Sequence, residues 1–238
     1  MIKIFGYEAK RLLWNKFYII LFAITIFNGW YTLFGNVIMG ISNTAPFSPW
    51  SFGYYLAQVM PVQLICTLFF VTYIYSAKEK SVQRLTLATS MDTVKFMLVR
   101  IIVITIGYLL LCIGVLVLGF TFYAVVFQLK DFSAFLLPTL VVLIPPVIFV
   151  LGIGLIAGRF HNSLVYGLMA VIFIISFIGL PYTVDLIGGG VFLHYPIALG
   201  SLDPAFALPV SFVLGRIGYT AIGLALICYC CKAEVKRT

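Results

Sequence analysis

Ala77–Arg100 reads AKEKSVQRLTLATSMDTVKFMLVR, and it is the longest polar interruption in an otherwise apolar chain. It carries Lys78, Lys80, Arg84, Lys95 and Arg100 against only Glu79 and Asp92. Apolar stretches long enough to cross a bilayer flank it on both sides. A basic, helix-prone loop between two membrane spans is a place where a second protein can push from the cytoplasm.

The chain outside this loop demands lipid. Of 238 residues, 63% are hydrophobic and 9% are charged, whereas a soluble domain averages about 45–50% apolar and about 25% charged. Folding in water would leave far too much apolar surface exposed. The aromatic share of 16% suits helices anchored at two interfaces. A net charge of +8 raises nucleic acid as a partner, but the basic residues gather at the ends of apolar segments. That is the positive-inside pattern of membrane proteins, so no nucleic acid is expected.

Six apolar segments are predicted to span, at 17–35, 52–75, 101–127, 135–157, 164–184 and 209–231. At about 1.5 Å per residue each can cross a hydrocarbon core of about 30 Å. Residues 1–16 alternate Ile4, Phe5, Leu12 and Trp14 with Lys3, Glu8, Lys10 and Arg11. This reads as an amphipathic helix lying along the membrane interface. Lys10, Arg11 and Lys16 precede the first span and no small-residue cleavage site follows, so the start is read as uncleaved.

Orientation follows from charge. With the N-terminus inside, thirteen basic residues are cytoplasmic, Lys130 alone is external and Arg216 lies within the sixth span. That asymmetry predicts both termini in the cytoplasm. Externally, 36–51 reads as an interfacial loop. Residues 185–208 are too apolar for a solvated loop and too broken by Gly188–Gly190, Pro196 and Pro204 to span. A pair of short re-entrant or interfacial helices is expected there. The fold class is therefore an all-α integral membrane protein in one transmembrane domain.

Catalytic and metal signatures are missing. There is no Gly-x-x-x-x-Gly-Lys-[Ser/Thr], no His-Glu-x-x-His and no paired-acid motif. The chain is expected to be no enzyme, to hold no metal and to bind no cofactor itself. His161 and His194 fall on opposite sides of the predicted bilayer. Cys66, Cys112, Cys228, Cys230 and Cys231 all lie in or beside apolar spans, which argues against a disulfide framework.

Polar groups within spans each need a reason. Asn28 and Thr25 stand in the first span, and Gln58, Gln63 and Thr67 in the second. Asn28, Gln58, Gln63 and Thr67 are candidates for a translocation path or for interhelical hydrogen bonds. Arg216 is predicted either to snorkel or to pair with Asp185 at the outer end of the fifth span. Pro145-Pro146 should kink the fourth span. Gly154 and Gly158 form Gly-x-x-x-Gly, which serves close helix packing or a dimer contact.

The layout resembles the membrane subunits of ABC-2-type (type V) ABC exporters over nearly the whole chain. The resemblance rests on the Glu8–Arg11 interfacial segment, six spans, the broken apolar segment before the last span, and a first cytoplasmic loop that opens with an acid. In that family the loop often runs from Glu through Gly-Thr to a Leu-Leu-x-[Ser/Thr]-Pro turn. Here Glu79 matches the acid, and Leu85, Leu87, Ala88, Thr89 and Ser90 match the helix and its end. Lys95 and Arg100 match the basic re-entry. Ser81-Val82 stands in place of Gly-Thr, and Met91 in place of the proline.

The resemblance implies a permease in a bacterial-type plasma membrane, exporting an amphipathic or hydrophobic substrate such as a peptide, an antibiotic or a lipid. It implies an ABC ATPase as a separate partner, carrying ATP and Mg, and a second permease subunit in a homo- or heterodimer. Glu79, Lys80 and Arg84 would then meet the rim of an ATPase groove, with Val82, Leu85 and Leu87 as apolar anchors. An ion-coupled secondary carrier and a non-transporting scaffold or sensor subunit remain as alternatives.

Overall fold

A computed structural model describes residues 2–76 and 93–235. The described residues are helical with turns and loops, and no strand occurs among them. Among the described residues eight α-helices run in order: α1 (Ile2–Leu13), α2 (Lys16–Gly35), α3 (Pro49–Ile74), α4 (Thr93–Val126), α5 (Leu136–Phe160), α6 (Asn162–Ile175), α7 (Gly189–Ala198) and α8 (Val210–Val235). Among the described residues five helices, α2, α3, α4, α5 and α8, are long and apolar enough to cross a membrane. Their outward sides carry bare apolar groups such as Phe27, Trp30, Ile113, Leu214 and Ile217, as a lipid solvent requires.

Helix starts follow local chemistry. Asn15 accepts from the Phe17 amide at 3.2 Å and caps α2. Ser48 accepts from the Ser51 amide at 3.2 Å, and Pro49 opens α3 where its missing N–H is harmless. Between these caps, Gly40 takes φ +78, a left-handed conformation in which a Cβ would stand 2.6 Å from the Thr44 carbonyl.

α3 is the hub. Most of its residues from Trp50 to Ile74 are buried, and one stripe, Tyr54, Gln58, Val62, Ile65, Phe69 and Tyr73, is left partly covered or exposed. Such a helix belongs at the centre of a bundle. It packs against α2, α4, α5, α6 and α7. Glycines set several of these approaches. Gly53 receives the Phe192 ring from α7, Gly154 faces Leu68 and Gly158 faces the Tyr75 ring. The Gly154/Gly158 pair therefore serves packing within the chain, against α3. On the far side of α5, a Cβ on Gly152 would lie 2.7 Å from the Gly223 carbonyl of α8.

α4 starts eight residues before its predicted span. Nothing in Thr93–Arg100 breaks a helix, so the 34 residues run on without interruption. At about 1.5 Å per residue they reach about 51 Å, well beyond a hydrocarbon core of about 30 Å. Lys95 and Arg100 thus belong to the first turns of α4. α1 packs against that projecting foot. Glu8 of α1 sits 2.9 Å from Arg11 and 3.6 Å from Arg100, with all three largely withdrawn from solvent.

α6 differs most from expectation. A span over 164–184 was predicted, whereas the helix stops at Ile175 after 14 residues. The physical reason lies just beyond. Ser176 turns its hydroxyl onto the Phe173 carbonyl at 2.6 Å. Gly179 weakens any continuation, and Pro181 supplies no donor and disfavours helix at Leu180. Residues 176–188 instead form turns along α8. In 185–208, where two short helices were expected, one stands, α7, and the stretch after Gly200 (φ +68) is irregular. α5 remains helical through Pro145 and Pro146, and Tyr108 of α4 donates to the Leu143 carbonyl beside them at 2.7 Å.

Candidate functional site

A cavity of about 290 Å³ opens beside α3, walled by α2, the end of α6 and the start of α7. Asn28 and Gln58 both line it. Gln58 lies nine positions into α3, about 14 Å from its start at about 1.5 Å per residue. The cavity thus sits in the half of the bundle nearer the 36–48 loop. Asn28 Nδ2 points at the Gln58 carbonyl at 3.5 Å, and the Gln58 carboxamide projects into open space. Pro61 lines the same wall. It has no N–H to close on the Ala57 carbonyl one turn earlier, and Ala57 is also a lining residue. Phe173, Phe177, Ile178 and Ile65 complete an apolar rim.

The other two path candidates lie elsewhere. Gln63 and Thr67 are fully buried within the bundle, and neither lines this cavity. Thr67 Oγ1 donates to the Gln63 main-chain carbonyl at 2.9 Å. Neither atom of the Gln63 carboxamide has a hydrogen-bond partner among the described residues. Thr25 is likewise inward, donating to the Leu21 carbonyl at 2.8 Å.

Asp185 forms the floor of the cavity, a position that its sequence context did not signal. Its Oδ1 accepts from the amides of Ile187 at 3.2 Å and Gly188 at 2.7 Å, and Oδ2 accepts from Gly190 at 3.1 Å. The carboxylate therefore caps α7, and an acid at a helix N-terminus is favoured by the helix dipole as well. Gly188 holds φ +93, which leaves room for this tight turn.

Arg216 reaches the same turn from α8. Its Nη1 donates to the Leu186 carbonyl at 2.6 Å, and its Cζ lies 4.5 Å from the centroid of the Phe212 ring. A Cβ on Gly188 would stand 2.8 Å from Nη2. Tyr219 adds a donor to the Val184 carbonyl at 2.7 Å. Arg216 and Asp185 thus grip one segment from two sides, with no direct ion pair between them among the described residues. Arg216 does not snorkel; only 3% of it is exposed. Non-helical backbone at membrane depth needs such partners for its carbonyls.

An aromatic cap closes the end of the bundle above the cavity. Trp50 donates to the Pro204 carbonyl at 3.0 Å and meets the Phe206 ring at 4.7 Å. Asp203 ties this stretch to the 36–48 loop by accepting from the Ala45 amide at 3.1 Å. The predicted coupling residues Glu79, Lys80, Val82, Arg84, Leu85 and Leu87 lie outside the described residues. The Glu8–Arg100 link was also not foreseen, because nothing in either local sequence points to the other.

The chain matches no family model, no curated protein and no solved structure.

Proposed function

We propose that this chain is the membrane-spanning permease subunit of an ATP-driven exporter, working with a separate ATPase and a second permease subunit. One observation carries the reading. The basic segment 77–92 joins the foot of α3, the hub that lines the cavity, to the foot of α4, which projects past the expected membrane edge. α1 is tied to α4 at that same level through Glu8 and Arg100. A push on 77–92 would therefore reach the cavity wall along α3, with α4 and α1 moving at the same foot.

In this reading Glu79, Lys80 and Arg84 contact the ATPase rim, and Val82, Leu85 and Leu87 fill its groove. Asn28 and Gln58 then belong to the substrate path, whereas Gln63 and Thr67 serve packing within α3. Both termini face the cytoplasm, as the basic residues imply. The cargo is amphipathic or hydrophobic, in keeping with a cavity that has a polar wall and an aromatic rim.

The test is co-purification with the candidate ATPase and measurement of its turnover. Arg84→Glu and Leu85→Asp are expected to uncouple ATP hydrolysis from transport while membrane insertion is unchanged. Normal ATPase capture and normal export by both variants would overturn the coupling role. A second reading, an ion-coupled carrier, gains one point from Asp185 on the cavity floor. It predicts transport that survives ATP depletion and collapses with the ion gradient.

A further inference from the structure

A second cavity, about 130 Å³ in volume, lies on the other side of the α6 terminus, between α3, α5 and α6. Its wall includes Leu68, Phe149, Val171 and Ile172, and every lining side chain is apolar. Ile175 lines both cavities, and Leu186 of this one directly follows Asp185 of the first. The early end of α6 at Ile175 is what brings them together, since a continued helix would separate them.

The two chambers differ in chemistry. The first has a polar wall made by the Asp185 carboxylate and the Asn28 and Gln58 carboxamides, whose oxygens can accept. No lysine, arginine or histidine lines it among the described residues; Arg216 meets the same turn from the α8 side and offsets part of the Asp185 charge, so the Asn28 and Gln58 oxygens and the aromatic rim share in holding a cation. Phe173 and Phe177, with ring centroids 5.0 Å apart, add aromatic surface that favours a cation. The second chamber offers only dispersion and burial.

We infer that each subunit holds a single-chain cationic amphiphile, with its ammonium head among Asp185, Gln58 and Asn28 and its alkyl chain passing Ile175 into the Leu68–Val171–Ile172 chamber. The site lies within one subunit and requires neither an ATPase nor a second copy. It stands apart from the exporter reading, because binding is measured with no partner present.

The experiment uses the full chain in phosphatidylcholine nanodiscs with dodecylammonium carrying a terminal diazirine. Photolysis should place label on the α3 and α6 peptides that contain Leu68, Val171 and Ile172. Val171 is 48% exposed, so Val171→Trp can fill the chamber from its open side without disturbing the core. Excluding a few methylenes should lower affinity about tenfold and end the gain in affinity with chain length. Ile175→Phe, which adds bulk at the residue that lines both cavities, should act in the same direction. Gln58→Leu should weaken the preference for dodecylammonium over dodecyl sulfate carrying the same diazirine. Equal labelling of the chamber by the sulfate probe would overturn the inference. So would label confined to the lipid-facing residues Leu214, Ile217 and Leu224 of α8, or unchanged binding in both chamber variants.

Discussion

Gln63 is the residue whose environment fits it least. Its carboxamide is fully buried with no hydrogen-bond partner among the described residues. Leaving such a group unsatisfied costs about 1–3 kcal/mol, and replacing it with an apolar group of similar shape removes that cost. Gln63→Leu is therefore expected to raise the unfolding temperature in detergent, read by thermal melting. A lower melting temperature would mean that the amide is paired in the folded protein. Glu8 has the opposite character. Its carboxylate is shared by Arg11 and Arg100 at a largely buried junction, and removing one partner of such a cluster costs about 3–5 kcal/mol. Glu8→Gln should loosen α1, seen as faster proteolysis within residues 1–16; protection equal to the parent chain would show that the ion pairs contribute nothing. Neither residue's role was legible in sequence. Gln63 and Gln58 look alike as isolated polar residues in one span, and only the neighbours of α3 send one inward and the other to a cavity.

At the scale of elements, the turn between α6 and α7 is held by two residues distant in sequence. Asp185 accepts from three amides of that turn, and Arg216 donates to the Leu186 carbonyl within it. Residues that support one backbone segment do not act independently. In a cycle of Asp185→Ala, Arg216→Ala and the double change, the losses in melting temperature should be less than additive. Strict additivity would separate the two roles. The α5–α8 crossing gives a sharper steric test. A Cβ at Gly223 would stand 2.6 Å from the Ile148 carbonyl, a backbone obstacle that cannot rotate away. Gly223→Val should push α8 off α5 and cost about 1–3 kcal/mol, whereas Gly218→Val, with nothing within 4 Å, should be neutral in the same melt. The helix lengths of α2, α3, α5 and α8 were legible to within a few residues, because long apolar runs bounded by caps and charges have no other stable state in lipid. α6 was not, since hydropathy averages over Ser176, Gly179 and Pro181 while backbone hydrogen bonding does not.

At the scale of the molecule, the expectation is of basic ends on one side of the membrane and Lys130 on the other. Single cysteines in a chain freed of its five native ones test it. Met39→Cys and Lys130→Cys should react with an impermeant maleimide from outside, and Lys10→Cys only after permeabilisation. The reverse pattern would invert the orientation. Sequence by itself determined the solvent and, among the described residues, the number of long apolar helices to within one. These depend on composition and run length, which survive without any knowledge of neighbours. Only the tertiary structure decided that α6 stops short, that α4 projects to meet α1, and that Asp185 floors a cavity shared by Asn28 and Gln58. Each of those rests on partners tens of residues away: Arg216 and Tyr219 on the α6–α7 turn, Glu8 on Arg100, and Asn28 on the α3 wall. Hydrogen bonds and steric fit between distant segments are set by where the helices pack, and no local pattern of residues encodes that.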